Sequence, residues 1–229
     1  MATTNTQRVY RNSIYNSYQE ETMSLSPMSH SVRAENLIAP ERVHVVIDGA
    51  NILYSMKEMQ GWGAESTRDL EVGRLAEVIV GKRRRPSVLT SVTVAIGVCD
   101  RSVDRYRHDQ EMAMVTRWRR DRRVRVDTRP LRYDARTGTN KEKGIDTMVT
   151  LNFMQAHLSG KNNAVVLATG DSDLTPALEW ALERKDQTHT EVARWECQRG
   201  GPWVPNRGLW CHYLDRADFL RCTTPRQGR

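Results

Sequence analysis

Two short apolar runs in the chain end on acidic side chains. Val45-Val46-Ile47 stops at Asp48, with Gly49, Ala50 and the amide Asn51 behind it, and Val166-Leu167-Ala168 passes through Thr169-Gly170 into Asp171 and Asp173. A third acid, Asp146, stands in Lys143-Gly144-Ile145-Asp146, with Val149 and Phe153 three and seven positions on. On a helix that spacing puts the carboxylate on the face of core residues. An unpaired carboxylate there is expensive, so Asp146 must be held by a cation or hydrogen bonds, or lie at the rim of a sheet. Clustered carboxylates suit hard cations such as Mg²⁺ or Mn²⁺, which activate water and offset charge developing on a phosphodiester. Taken singly, Asp171 or Asp173 would cap a helix, and Asp48 and Asn51 would be turn residues. Those roles leave unexplained why acids recur at the ends of apolar runs.

The elements that must bring them together are also readable. Val43 to Ile47, Ser91 to Cys99 and Ala164 to Ala168 are Val- and Ile-rich and are expected as buried strands, with Val124 to Tyr133 and Thr190 to Cys197 as further candidates. Between them Arg68 to Lys82, Ser102 to Arg120, Gly144 to Leu158 and Thr175 to Lys185 show helical spacing. Such alternation implies right-handed crossovers and a three-layer α/β/α sandwich around a mainly parallel sheet. In open sheets of this kind function gathers beyond the carboxyl ends of the strands, where Asp48 and Asp171 are expected.

With 229 residues, one core plus extensions is expected. Residues 1–40 hold six serines and few aliphatics, which predicts a flexible tail. The domain is placed at 41–222, with a short tail at 223–229. No apolar run approaches the roughly 18 residues of a membrane span, and no secretory signal precedes the domain, so a cytoplasmic protein is expected. The four cysteines form no C-x-x-C pair and are read as reduced thiols, and the spacing of Cys197, Cys211, His212 and Cys222 is unlike common zinc patterns. A net charge of +7 favours a polyanionic partner, with nucleic acid foremost.

At the acidic residues the sequence resembles the NYN domain family, a PIN-like ribonuclease group. The matching pieces are Val46-Ile47-Asp48-Gly49-Ala50-Asn51, Lys143-Gly144-Ile145-Asp146, Thr169-Gly170-Asp171-Ser172-Asp173-Leu174 and Leu214-Asp215-Arg216-Ala217-Asp218-Phe219-Leu220. The resemblance implies a PIN-like fold and a metal-dependent endoribonuclease using Mg²⁺ or Mn²⁺. On it, Asp48, Asp146 and Asp171 are metal-binding carboxylates and Asp173 is a fourth ligand or an acid just behind them. Asn51 is the amide that orients Asp48 or a water on the metal, and Lys143 is a phosphate contact. Leu174 departs from the family's more frequent phenylalanine.

Two basic runs are candidates for the RNA itself: Arg83, Arg84 and Arg85 after Lys82, and Arg117, Arg119, Arg120, Arg122 and Arg123, which lead to Arg125 with only Asp121 among them. Guanidinium groups match phosphate geometry, and neither run has an acidic run beside it. Trp118 is expected as a core anchor more than a base-stacking platform, while Trp203 is open to either reading. The main alternative to the nuclease is an RNA-binding module or adaptor that uses the acidic edge structurally. A phosphotransfer enzyme is disfavoured, because Ala50 stands where an aspartate nucleophile would have its partner acid and no Walker loop occurs.

Overall fold

A computed structural model of the chain describes residues 39–60, 68–184, 187–205 and 207–226. In order, the elements are β1 (Glu41–Asp48), α1 (Gly49–Gln60), β2 (Arg68–Leu70), α2 (Val72–Gly81), β3 (Ser87–Val98), α3 (Arg105–Trp118), β4 (Val124–Pro130), β5 (Arg132–Asp134), β6 (Thr139–Lys141), α4 (Ile145–Leu158), β7 (Ala164–Ala168), α5 (Thr175–Glu183), β8 (His189–Trp195), β9 (Trp210–Leu214), α6 (Arg216–Cys222) and β10 (Thr223–Pro225). A single 3₁₀ turn, Ser172–Leu174, joins β7 to α5. Of the expected tail at 1–40, only Ala39 and Pro40 fall among the described residues.

The main sheet has six strands in the order β4-β3-β1-β7-β8-β9, all paired in parallel. Residues alternate between its faces. On β1, Val43, Val45 and Ile47 enter one core with Ile52, Met56, Leu75, Ile79, Val115, Trp118 and Phe219, which places α1, α2, α3 and α6 on that side. Val46 faces the other way, into a core with Val149 and Phe153 of α4 and Leu178 of α5. The expected sandwich is therefore present, and by the same alternation Asp48 belongs to the α4 face. The chain leaves β1 toward β3 and β4 on one side, then returns to build β7, β8 and β9 on the other. The crevice between β1 and β7 is the point where the winding reverses.

Several elements differ from expectation. The helix expected over 68–82 begins only at Val72, because Arg68, Asp69 and Leu70 pair antiparallel with Pro225, Thr224 and Thr223. The same pairing carries the fold past residue 222. The expected strand over 124–133 pairs with β3 as far as Pro130, which is tolerated because β4 is an edge strand, and Leu131 N–H still donates to the Val98 carbonyl at 2.8 Å. α1 and β9 have no counterpart in the expected elements. Trp118 is buried and its indole N–H donates to the Leu70 carbonyl at 2.7 Å, so it is the core anchor. All four cysteines are free thiols, and His212 engages Glu191. No helix among the described residues is long and apolar enough to cross a membrane.

Candidate active site at the carboxyl edge

Asp48 is the last residue of β1 and is only 3% exposed. α1 starts at the next residue, so Asp48 Oδ1 accepts the Asn51 N–H at 3.2 Å, as an N-cap does. Its Oδ2 accepts the Thr169 hydroxyl at 3.1 Å, from the exit of β7. The abrupt strand-to-helix turn needs Gly49, since a Cβ there would meet the Ala95 carbonyl oxygen of β3 at 2.9 Å. Burial is the largest influence on this carboxyl and raises it. The two hydrogen bonds work against burial, and the nearby Asp146 and Asp171 work with it, leaving Asp48 at about 6.

The Asn51 side chain does something other than orient Asp48, whose oxygen is held by the Asn51 backbone. Asn51 Oδ1 accepts the Gly170 N–H and the Gln198 amide, each at 2.8 Å. Gln198 in turn accepts the Trp195 N–H at 2.9 Å and lies where a Gly170 Cβ would stand. One amide thus ties the start of α1 to the loops leaving β7 and β8. Asn51→Ala is expected to leave two donors unsatisfied and to cost about 1–3 kcal/mol. It should also loosen the loop that carries Asp171. Urea unfolding gives the first effect, and faster hydrogen exchange at the Gly170 and Asp171 amides gives the second.

Asp171 caps the 3₁₀ turn, its Oδ1 accepting the Asp173 N–H at 2.9 Å, while its own N–H donates to Thr169 Oγ1 at 3.0 Å. The capping role expected of this acid taken singly is real, and it leaves Oδ2 for other partners. Asp146 is in the first turn of α4, exposed, while Val149 and Phe153 are fully buried. It therefore lies at the rim. Burial raises Asp146, and Asp171 and Asp173 raise it further. Asp173 is exposed.

A fifth acid stands outside the residues expected from sequence. Glu142, between β6 and α4, reaches over Gly97 of β3, where an added Cβ would meet its Oε1 at 3.1 Å. Burial, then Asp48 and Asp146, raise its carboxyl. The only local signal is an acid between Lys141 and Lys143 beside the Gly144-Ile145-Asp146 motif. Lys143, the expected phosphate contact, is exposed at this same edge, next to Glu142.

The basic runs lie at the other end of the strands. Arg83, Arg84 and Arg85 precede Ser87, which pairs with Glu41 at the start of the eight-residue β1 that ends at Asp48. That is about 25 Å of strand. The second run follows α3 and enters β4, also at the amino edge. Much of its charge is already paired. The Arg83 side chain is 3% exposed between Glu41 and Glu191, both at 2.8 Å, and Arg85 reaches Glu41 at 2.8 Å. Arg117 pairs with Asp69 and Glu71 at 3.1 Å, and Arg123 with Glu77 and Asp121 at 2.7 Å. Arg84 stacks on Trp210 at 4.7 Å. Arg119, Arg120 and Arg122 are exposed and pair with no carboxylate among the described residues. Trp203 is 70% exposed.

Asp48, Glu142 and Asp146 belong to one electrostatically connected set, in which acidic neighbours, Asp171 and Asp173 among them, hinder their ionisation. Such a set fits a hard cation, which would relieve that repulsion. Among the described residues no three His, Cys, Asp or Glu side chains stand close enough to share one ion. An ion here would be bound through one or two of these carboxylates, with water completing its shell.

The family model described as NYN domain matches residues 42–194, a stretch that includes Asp48, Asn51, Glu142, Asp146, Asp171 and Asp173. No curated protein matches the sequence. Among solved structures, the chain is similar in fold to a protein of unknown function from Vibrio parahaemolyticus. The TM-score is 0.50 at 14% identity, over 77% of this chain and 94% of that one.

Proposed function

This chain belongs to the NYN domain family, a PIN-like nuclease family, and on that premise we propose that it is a metal-dependent endoribonuclease that hydrolyses RNA phosphodiester bonds. The observation that carries the proposal is the convergence of acids from three separate elements on the β1–β7 crevice, with Asp48 buried and raised to about 6. A protein that used these groups only structurally would gain from neutral residues there. Mg²⁺ or Mn²⁺, when bound, would supply the activation of water and the charge neutralisation at phosphorus.

The residues divide the remaining work. Asp48, with Asp146 or Asp171 as at most one further ligand, would hold the cation, and the remaining acids, Asp173 and Glu142 among them, would enlarge the negative field around it. Thr169 and the start of α1 fix the Asp48 carboxylate. Asn51 and Gln198 fix the loop that bears Asp171. Lys143, exposed beside the acids, is placed to receive a phosphate.

The test is cleavage of end-labelled RNA by wild-type protein and Asp146→Asn, with Mg²⁺, with Mn²⁺ and with EDTA. Cutting that requires the ion and is lost in the variant, with RNA binding retained, is the expected outcome. Binding without cutting under every condition would assign the chain to the RNA-binding module instead. The ion should also protect the fold. At about a hundred times its Kd, Mg²⁺ is expected to add about 2.7 kcal/mol to unfolding, read as a rise in Tm that EDTA reverses. That rise should fade as pH drops below about 6, where Asp48 takes up its proton.

A further inference from the structure

The α4 face of the sheet is incompletely covered. α4 packs on β1, β3 and β7, and α5 on β8, so the strip over β3 and β4 beside α4 is open. It holds a groove of about 570 Å³. Among its lining side chains are Arg42, Arg123, Arg125 and Lys161, and no carboxylate. Its other walls are largely uncharged and polar, including Asn152 and Gln155 on α4.

The cations have different standing. Arg123 is held by Asp121 and Glu77. Arg125 pairs with Asp127 at 3.2 Å and donates to Asn152 at 2.9 Å, yet its side chain remains 56% exposed. Arg42 and Lys161 are exposed and pair with no carboxylate among the described residues. Within the groove, His44 feels the result. Burial first and Arg125 second hold its imidazole down to about 4, so it adds no charge of its own at neutral pH.

The groove points at the acids. Arg125 and Asp127 of β4 both reach Asn152 of α4. Two residues further along the same strand face is Arg129, whose guanidinium rests against Gly144, where a Cβ would meet its Nη1 at 2.7 Å. Gly144 directly precedes α4 and Asp146. Cations therefore stand beside α4 from the amino edge to the rim of the acidic crevice, with Asp127 between Arg125 and Arg129. The open strip lies over β4 and the part of β3 that α4 leaves uncovered, at the edge of the sheet.

We propose that the β4–α4 groove seats the phosphate backbone of single-stranded RNA, with Arg42, Lys161 and Arg125 as contacts and Arg129 directing the strand into the acidic crevice. The proposal rests on the nuclease reading for its direction, and on the groove's own charge for its ligand. Of the arginine runs conspicuous in the sequence, only the end of the second, Arg123 and Arg125, reaches the groove.

The test uses the full chain and a fluorescein-labelled mixed-sequence single-stranded RNA, with anisotropy measured in EDTA over a series of salt concentrations. Removing three cations by Arg42→Gln, Arg125→Gln and Lys161→Gln together should weaken binding about tenfold or more and lower the slope of log K against log salt by about 2. With metal, KM should rise while kcat holds. Lys161→Gln alone, at an exposed loop position, should lower the slope by about 0.7. Removing Lys57, Arg74 and Arg105 as Gln, an equal charge on α1, α2 and α3 of the other face, should leave the slope unchanged. Equal losses in the two triple variants, or no loss in the groove variant, would overturn the proposal. So would duplex RNA that binds as tightly as the single strand. Groove-dependent binding without cleavage would remove the nuclease reading and keep the groove, whereas cleavage indifferent to the groove variants would do the reverse.

Discussion

Asp48→Asn is expected to abolish RNA cleavage and, in metal-free buffer, to make the protein more stable. The two effects have one cause. In the wild type the carboxyl lies at 3% exposure with two hydrogen bonds and with acidic neighbours, and its pKa goes from an ordinary 3.8 to about 6. A raised carboxyl is favourable to the fold in its neutral form. Its contribution is fully present below 3.8 and is lost as pH rises through about 6. Above that, keeping Asp48 ionised costs about 3 kcal/mol, because each tenfold weakening of the acid corresponds to ~1.4 kcal/mol. The amide that replaces the carboxyl carries no charge at any pH, accepts the Asn51 N–H in the same geometry, and can donate to Thr169, whose hydroxyl turns to accept. Urea unfolding in EDTA near neutral pH should show the variant more stable by up to about 3 kcal/mol, and the gap should close toward pH 4. Adding Mg²⁺ should narrow it from the other side, because only the wild type gains from the ion. Cleavage should fall by about 10³-fold or more, since several kcal/mol of transition-state stabilisation goes with the lost ligand. A variant that is less stable than wild type in EDTA, or that still cuts, would contradict the reading of Asp48 as an acid held ready for a cation.

That coupling is local, which is why the acidic edge of the molecule is legible in the sequence. Asp48, Asp171 and Asp146 each sit where an apolar run stops or an amphipathic stretch begins, and a parallel sheet sends such positions to one edge. The grammar of the elements is local, and so is the signal. Glu142 and Gln198 belong to connections, whose path depends on what they pack against. Glu142 reaches the site because Gly97 leaves room over β3, and Gln198 because Gly170 does the same beside β7. Neither condition is visible in the residues around them.

Part of the basic runs is less available than their sequence suggests, for the same reason. Arg83 and Arg117 stand in runs with hardly an acid beside them, yet their partners Glu191 and Asp69 lie 108 and 48 positions away. Charge neutralisation across a fold is a property of the topology. Conversely, Arg42 and Lys161 stand singly in the chain, and only strand order and the uncovered strip bring them beside Arg125 at the end of the second run. The β2–β10 pairing, which makes a strand of an expected first helical turn, is another instance.

The amino edge supplies the largest expected loss of stability. Glu191 in β8 receives the Arg83 guanidinium at 2.8 Å and engages His212 of β9 at 2.8 Å, while Glu41 of β1 holds Arg83 from the other side. Burial alone would raise the Glu191 carboxyl. The hydrogen bonds from His212 and Arg83 and the Arg83 charge outweigh it, and the group lies at about 2 against an ordinary 4.5. With Arg83 at 3% and His212 at 2% side-chain exposure, neither can turn to water if Glu191 is removed. Glu191→Ala is therefore expected to destabilise the protein by about 3–5 kcal/mol near neutral pH, the range for breaking a buried pair from one side. Glu191→Gln, which keeps the volume and one acceptor, should lose less. The pH signature separates this from a simple packing defect. A depressed carboxyl contributes stability that is fully present above 4.5 and is lost as pH falls toward about 2, so the wild type should weaken across that window. The Gln variant should lack that part of the acid dependence. Parallel urea titrations of the three proteins through that range decide it: equal acid slopes in wild type and Gln variant would mean that Glu191 is not the group holding Arg83 at the foot of the sheet.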